Sequence, residues 1–363
     1  MIMNIRHESA ERQAPFRETV ERLCEDAMGK ARARQDQLTK PRGGLGRLEA
    51  LSIQLAGILG EPKPMLRRKL VLVVAADHGV TEEGVSAYPA EVTRQMVRNF
   101  LDGGAAINVL ARQAGAEVLV VDAGVQGAAL PEEPGLVSRR VGPGSANMVQ
   151  GPAMTQEQAA QSVQIGMELL EAEVSRKKID ALALGEMGIG NTTPAAAVAA
   201  AMTGCSAKEA AGPGAGLDDA GVEWKAAVIE RALTLHRPNA ADPLDVLSKV
   251  GGFEIGVLAG AALSAASHRC AVVLDGYPST AGAMIAVGLE PAVKPYLIAG
   301  HRSAEPGHEG MLRWLGLEPL FDLDMRLGEG TGGVLAMHVL ETACRTLDEM
   351  ATFEEAGVTD ARG

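Results

Sequence analysis

One carboxylate lies between glycines near the end of the chain, in Leu327-Gly328-Glu329-Gly330-Thr331-Gly332-Gly333, and a largely apolar segment from Val334 to Leu347 follows. Glycines on both sides let a ligand approach the backbone, because no Cβ holds it off. Glu329 is then either a proton acceptor in a site where a strand ends and a helix starts at about Thr331, or a charge suited to the positive end of that helix. A second cluster, Gly185-Glu186-Met187-Gly188-Ile189-Gly190-Asn191-Thr192-Thr193, runs into a helix with Pro194 in its first turn. Proline fits there because its missing N–H has no helical partner to lose. Exposed backbone N–H groups and the helix N-terminus favour a phosphate without many cations. No Gly-Lys-Ser/Thr follows, so it is not a P-loop, and it is a poor GxGxxG.

Gly212-Pro213-Gly214-Ala215-Gly216-Leu217-Asp218-Asp219 is a further glycine-rich turn, with Asp218 or Asp219 as N-cap of a helix that carries Lys225. Lys225 either counters a phosphate, pairs with Glu186 or is solvated. Asp77-His78 invites a metal reading, with Asp122, Asp275, His301 and His308 as further ligands, but no HxH or HExxH spacing supports it. Ser86, Tyr88 and the segment Glu91-Val92-Thr93-Arg94-Gln95-Met96 are placed to wall a pocket for a flat apolar ligand, although Met96 suits a core equally well. There is no GxSxG elbow and no cysteine with a nearby histidine, so a covalent nucleophile is poorly supported.

These residues need a frame. Leu70-Val71-Leu72-Val73-Val74-Ala75 is a continuous apolar run, the signature of a strand buried on both faces. Similar runs are Val118 to Val121, Ala181 to Leu184, Ala271 to Leu274, Tyr296 to Ala299 and Leu320 to Leu323. Helical segments separate most of them: Ala90 to Leu101, Gln156 to Val174, Asp218 to Leu235 and Phe253 to Ser267. Alternating strands and helices predict an α/β fold, a Rossmann-like doubly wound, mainly parallel sheet of about six strands. Ligands of such sheets bind beyond the carboxyl ends of the strands, where the unusual residues fall. Helices over 17–36 and Arg47 to Leu59 precede the first strand, flanking a loop around Pro41, and the tail after Thr352 reads as weakly ordered.

The chain has 363 residues, 47% hydrophobic but only 3% aromatic, so the core must come from Ala, Val, Leu, Ile and Met. A net charge of −12 argues against a nucleic-acid or anionic-membrane partner. Cys24, Cys205, Cys270 and Cys344 are scattered without CxxC pairing, as free thiols of a reducing cytosol are. The N-terminal residues form no apolar leader, and the longest apolar stretches (Ala195 to Met202, Ile255 to Ala266) are too short to span a bilayer. The expectation is a cytoplasmic protein.

Taken together, the motifs resemble the nicotinate-nucleotide–dimethylbenzimidazole phosphoribosyltransferase family. The resemblance is carried by Leu38-Thr39-Lys40-Pro41 through Glu49, Ala76-Asp77-His78-Gly79-Val80, Gly84-Val85-Ser86, Glu91-Val92-Thr93, Gly185 through Thr193, His301-Arg302-Ser303-Ala304-Glu305 and Gly328-Glu329-Gly330-Thr331-Gly332. It covers roughly residues 15 to 350; Gly44 and Ser145-Ala146-Asn147-Met148 depart slightly from the family's pattern. It implies a large Rossmann-like domain over residues 65–334, a small helical domain from residues 1–64 and 335–363, and a homodimer. It implies a cobalamin-pathway enzyme that moves phosphoribosyl from nicotinate mononucleotide to 5,6-dimethylbenzimidazole, with no cofactor and no metal. It places the general base at Glu329. Gly188, Gly190, Asn191, Thr192 and Ser303 would hold the phosphoribosyl end, Glu186 and Lys225 would position ribose and phosphate, and Ser86, Gln95, Met187 and Leu327 would line the aromatic pocket. The competing expectation is a metal-dependent phosphohydrolase using Asp77, His78 and His301.

Overall fold

The computed structural model describes Phe16 and residues 19–359 apart from Glu132. The expectations for the extreme N-terminus, for the first residues of the 17–36 helix and for Asp360 and Gly363 lie outside the described residues. Six strands form one parallel sheet: Lys69–Ala76 (β1), Ala116–Gly124 (β2), Leu136–Ser138 (β3), Ala181–Met187 (β4), Ala271–Leu274 (β5) and Leu297–Ala299 (β6). Their order is β3-β2-β1-β4-β5-β6, the doubly wound arrangement in which chain direction across the sheet reverses between β1 and β4. Every residue of β1 is buried, as its unbroken apolar run requires of a central strand covered on both faces.

Helices Glu25–Gln35 (α1) and Arg47–Leu59 (α2) precede β1, while Glu91–Leu101 (α3) and Ala106–Ala114 (α4) join β1 to β2. Gln156–Arg176 (α5) leads into β4. Thr192–Thr203 (α6), Ala207–Ala210 (α7), Asp219–His236 (α8), Pro243–Val250 (α9) and Phe253–Ser267 (α10) connect β4 to β5, and Tyr277–Leu289 (α11) returns to β6. Then come His301–Arg302 (β7), His308–Leu315 (α12), Phe321–Asp322 (β8), Thr331–Glu349 (α13) and Phe353–Ala356 (α14). Helix α10 packs on β1, β2, β4 and β5 with α5 and α11 beside it, whereas α13 packs on β4 and β5 with α2 and α4. A core with so few aromatic residues gains its density from close helix approach. A Cβ on Gly166 of α5 would lie 1.9 Å from the Val257 carbonyl oxygen, and one on Gly260 of α10 would lie 1.9 Å from that of Val163.

Three sequence expectations change. The sixth expected strand, Leu320 to Leu323, is not in the main sheet; only Phe321–Asp322 is extended, and it pairs with His301–Arg302. Leu323 is 61% exposed, so this apolar run lies on the surface rather than in the core. The sixth strand of the sheet is instead β3, a short half-buried edge whose three residues are too few to show a periodicity. The helix expected over 17–36 runs only from Glu25 to Gln35 among the described residues; residues 19–24 are not helical, and the Cys24 N–H donates to the Gly57 carbonyl, 2.8 Å away, which ties that segment to α2. The tail after Thr352 is structured as far as α14, whose N-cap Thr352 and Glu355 form a capping box.

The segments around residues 34–38 and 347–352 meet. Arg34 donates to the carbonyls of Leu347, Asp348 and Met350, and Leu38 bridges to Thr352. Among the described residues no helix is long and apolar enough to cross a membrane, and all four cysteines are free.

Candidate active site

A cavity of about 420 Å³ opens beyond the carboxyl ends of β4 and β5. The last residues of β4, Glu186 and Met187, enter it directly, followed by Gly188, Asn191 and Thr192 at the start of α6. Leu327 to Glu329, ahead of α13, form another wall, and Ser303 follows β7. Tyr88, Val92 and Met96 supply apolar surface; Val92 and Met96 are four residues apart and so share one face of α3.

Glu329 is 4% exposed and adopts a left-handed backbone, φ +62°, between Gly328 at +86° and Gly330 at +90°. A left-handed conformation costs a non-glycine residue about 1–2 kcal/mol; Arg237, Arg269 and Asp324 share it, and what sets Glu329 apart is that it is buried at the cavity wall. The loop is held tightly on β4. The Glu329 N–H donates to the Glu186 carbonyl at 3.2 Å, and a Cβ on Gly185 would lie 2.5 Å from the Glu329 carbonyl oxygen. Burial pushes the Glu329 carboxyl above its ordinary range; the Ile107 N–H at the start of α4, 3.2 Å from Oε2, opposes this, and the charge of Asp275 adds to it. The net effect brings a carboxylate nearer to neutral pH, where a general base works best.

Glu186 is raised well above the carboxylate range, first by burial and then by Asp275 and Glu254; its hydrogen bond from Asn191 Nδ2 opposes the shift. Two carboxylates with raised pKa values in one cleft are the perturbation that marks a functional site. Lys225 is not solvated. It is 1% exposed, and its Nζ donates to Thr192 Oγ1 and to the Gly212 carbonyl, each at 2.9 Å. Burial pulls its pKa down to about 8 against the opposing charge of Glu305. Thr192, Gly214 and Ala215 thus form the cavity wall in front of a buried ammonium.

The structure brings Glu329, Glu186, Met187, Gly188, Asn191, Thr192, Ser303 and Leu327 to one cavity. Lys225 stands behind Thr192. Gly190 sits beside rather than on the wall, at φ +85°, with Thr81 Cγ2 only 2.7 Å from where its Cβ would be. Ser86 and Gln95 do not line the cavity: Ser86 Oγ accepts the Tyr88 N–H, and Gln95 points from the exposed side of α3. Sequence reasoning gave no role to Glu305, Arg326 or Tyr277, which also line it, or to Glu254. Glu305 lies in the quoted His301–Glu305 stretch, and Glu254 interrupts the apolar helix 253–267; a charge inside an apolar run was the available signal.

The grouping of Asp77, His78 and His301 expected for a phosphohydrolase does not form. His78 Nε2 is 3.2 Å from Glu254 Oε1, with both side chains fully buried, whereas His301 Nε2 is 3.3 Å from Asp275 Oδ1 in the cavity wall. Asp77 Oδ2 accepts the Gln126 N–H at 2.7 Å. Among the described residues no set of three or more His, Cys, Asp or Glu side chains is arranged to hold a metal ion.

The phosphoribosyltransferase family model matches residues 20–358. A nicotinate-nucleotide–dimethylbenzimidazole phosphoribosyltransferase of Roseiflexus sp. (strain RS-1) is 58% identical over 337 residues, 93% of this chain and 95% of that one. The protein of the same name from Desulforudis audaxviator is 56% identical over 354 residues, 96% of this chain and 99% of its own length. The crystal structure of CobT from Thermus thermophilus superposes with a TM-score of 0.89 at 49% identity, covering 93% of this chain and 100% of that one. A doubly wound sheet, a strand-end carboxylate and a loop carboxylate at its carboxyl edge and similarity along nearly the whole chain agree: the chain belongs to the nicotinate-nucleotide–dimethylbenzimidazole phosphoribosyltransferase family.

Proposed function

We propose that the protein transfers the phosphoribosyl group of nicotinate mononucleotide to 5,6-dimethylbenzimidazole, the reaction in the relatives' name, with Glu329 as general base and inversion at C1′. In the donor, C1′ is bonded to a cationic pyridinium nitrogen. When that bond breaks, its electron pair returns to the ring and neutralises it, so nicotinate leaves without a general acid. The lone pair of one benzimidazole nitrogen forms the new bond from the opposite face. Positive charge then builds on the acceptor, and the proton on its other nitrogen passes to the Glu329 carboxylate. The products are α-ribazole phosphate, nicotinate and one proton.

The observation that carries this reading is a buried carboxylate with a raised pKa, held at the cavity wall in a conformation glycine would adopt at lower cost. A positioned base contributes on the order of 10²–10⁴ in rate, and alignment of two rings and a sugar accounts for much of the rest. The phosphate end is assigned to Gly188, Gly190, Asn191, Thr192 and Ser303, with Lys225 as the buried cation behind them. Met187, Leu327, Tyr88, Val92 and Met96 form the apolar end that suits a flat base.

Two architectural readings go with it. A helical subdomain from both chain ends is supported by a separate small core of Ala27, Ala31, Ala56 and Leu347. A homodimer in the cytoplasm is the assembly we assign; light scattering of the purified protein at twice the 37.7 kDa chain mass is the expected result. The activity itself is tested by incubating the protein with nicotinate mononucleotide and dimethylbenzimidazole. Nicotinate and the α-anomer of the new nucleotide should appear in equal amounts. Mononucleotide binding with no nicotinate released on adding the base would identify a binding protein instead.

A further inference from the structure

We propose that Asp275 is a positioning residue for Glu329, holding the loop so that the carboxylate enters the cavity; this rests on the reading of Glu329 as the base. Asp275 follows β5 and is 1% exposed. Its Oδ2 accepts the Gly330 N–H at 3.0 Å and its Oδ1 accepts the Gly332 N–H at 2.6 Å, so one carboxylate clamps the residue after Glu329 and the second residue of α13. The Glu329 N–H is fixed by the Glu186 carbonyl. The left-handed residue is therefore flanked by hydrogen bonds on both sides, one to β4 and two to the residue that follows β5. Asp275 is itself held: its own N–H donates to Ser279 Oγ at 3.0 Å, and His301 Nε2 lies 3.3 Å from Oδ1. His301 has little freedom, because it stacks on Phe321 at 6.2 Å between centroids and a Cβ on Gly332 would lie 2.0 Å from its Cδ2.

The clamp also carries charge. Around Glu329 the titratable groups are Glu186 from β4, Asp275 from β5 and His301 from β7, while α4 offers only the Ile107 N–H. Asp275 raises the pKa of Glu329, so its loss relaxes the loop and lowers the basicity of the carboxylate together. A carboxylate that only capped α13 would lower stability, and its loss would multiply with that of Glu329→Gln instead of being absorbed by it.

The test is a double-mutant cycle on nicotinate release with Asp275→Asn and Glu329→Gln, read as kcat, KM and pH profile. Asp275→Asn should lower kcat roughly 10- to 100-fold, with little change in either KM, and shift the acid limb to lower pH. Combined with Glu329→Gln it should add almost nothing, because the two act as a unit. Multiplying losses, or an unmoved acid limb, would overturn the positioning role while leaving Glu329 as base. Near-normal turnover of Glu329→Gln alone would overturn the base and, with it, this proposal. If Asp275→Asn does not fold, Asp275→Glu keeps the charge: it should lower kcat with the acid limb in place, and additivity with Glu329→Gln would again overturn the clamp.

Discussion

At the residue scale, two kinds of buried charge, carboxylates and one ammonium, set the chemistry of the cleft. Glu329 acts as a base only when deprotonated, and burial raises its pKa, so activity is lost as pH falls through a value above the ordinary carboxylate range. A kcat profile recorded from pH 4 upward should show that acid limb. Lys225 works in the opposite sense. It is protonated below about 8, so the KM for nicotinate mononucleotide should rise above that pH, and Lys225→Met should raise it about 10-fold or more below that pH, with the gap to the parent protein closing above it, at little cost to kcat. Glu186 has a stability consequence. Its folded pKa lies well above its unfolded one, so the native state binds the extra proton and stability declines as pH rises from the unfolded value through the folded one. Glu186→Gln should therefore raise Tm at neutral pH, by roughly 2 °C per kcal/mol relieved, while weakening turnover. The sequence made these carboxylates conspicuous by setting them among glycines. It could not reveal that Lys225 is buried, because helix α8 has only a weakly apolar face and the ammonium's partners, Thr192 and the Gly212 carbonyl, come from other segments.

At the element scale, glycines do the work that large apolar residues do in other cores. Helices α5 and α10 approach so closely that Gly166, Gly256 and Gly260 have no room for a methyl group; on Gly256 it would lie 1.9 Å from Ser162 Oγ. Gly260→Ala should destabilise the protein by about 1–3 kcal/mol through overpacking, read as a lower midpoint in urea. Since α10 lies against the central strands and carries Glu254 beside His78, activity should fall with it. Most helices were legible from apolar spacing, and Phe253–Ser267 matched to the residue. The ends of β5 and β6 were legible too, at Leu274 and Ala299, but β2 and β4 run three residues past the expected Val121 and Leu184, because glycine and charged residues there continue the pairing with β1. Strand membership was less legible. Leu320 to Leu323 has the composition of a strand and only a two-residue partner, whereas β3 has a partner in β2 and only three residues. Pairing is a long-range property, and a short run holds too little pattern to announce it.

At the scale of the whole molecule, the β3-β2-β1-β4-β5-β6 order explains why residues far apart in sequence share one cleft. The direction change beside β4 opens a crevice at its carboxyl end, and loops from residues 186–192, 303–305 and 326–329 reach it from neighbouring strands. The parallel sheet and its ligand edge were readable from the alternation of strands and helices, and the placement of Glu329 against Glu186 was not, since the backbone contact joins residues 143 apart in the chain (329 − 186). In the proposed reaction this cleft transfers phosphoribosyl with Glu329 taking the acceptor's proton. Nicotinate release by Glu329→Gln at saturating nicotinate mononucleotide and dimethylbenzimidazole tests it most directly. A fall in kcat of on the order of 10²–10⁴ with the donor KM preserved is the predicted result, and near-normal turnover in a folded variant would contradict it.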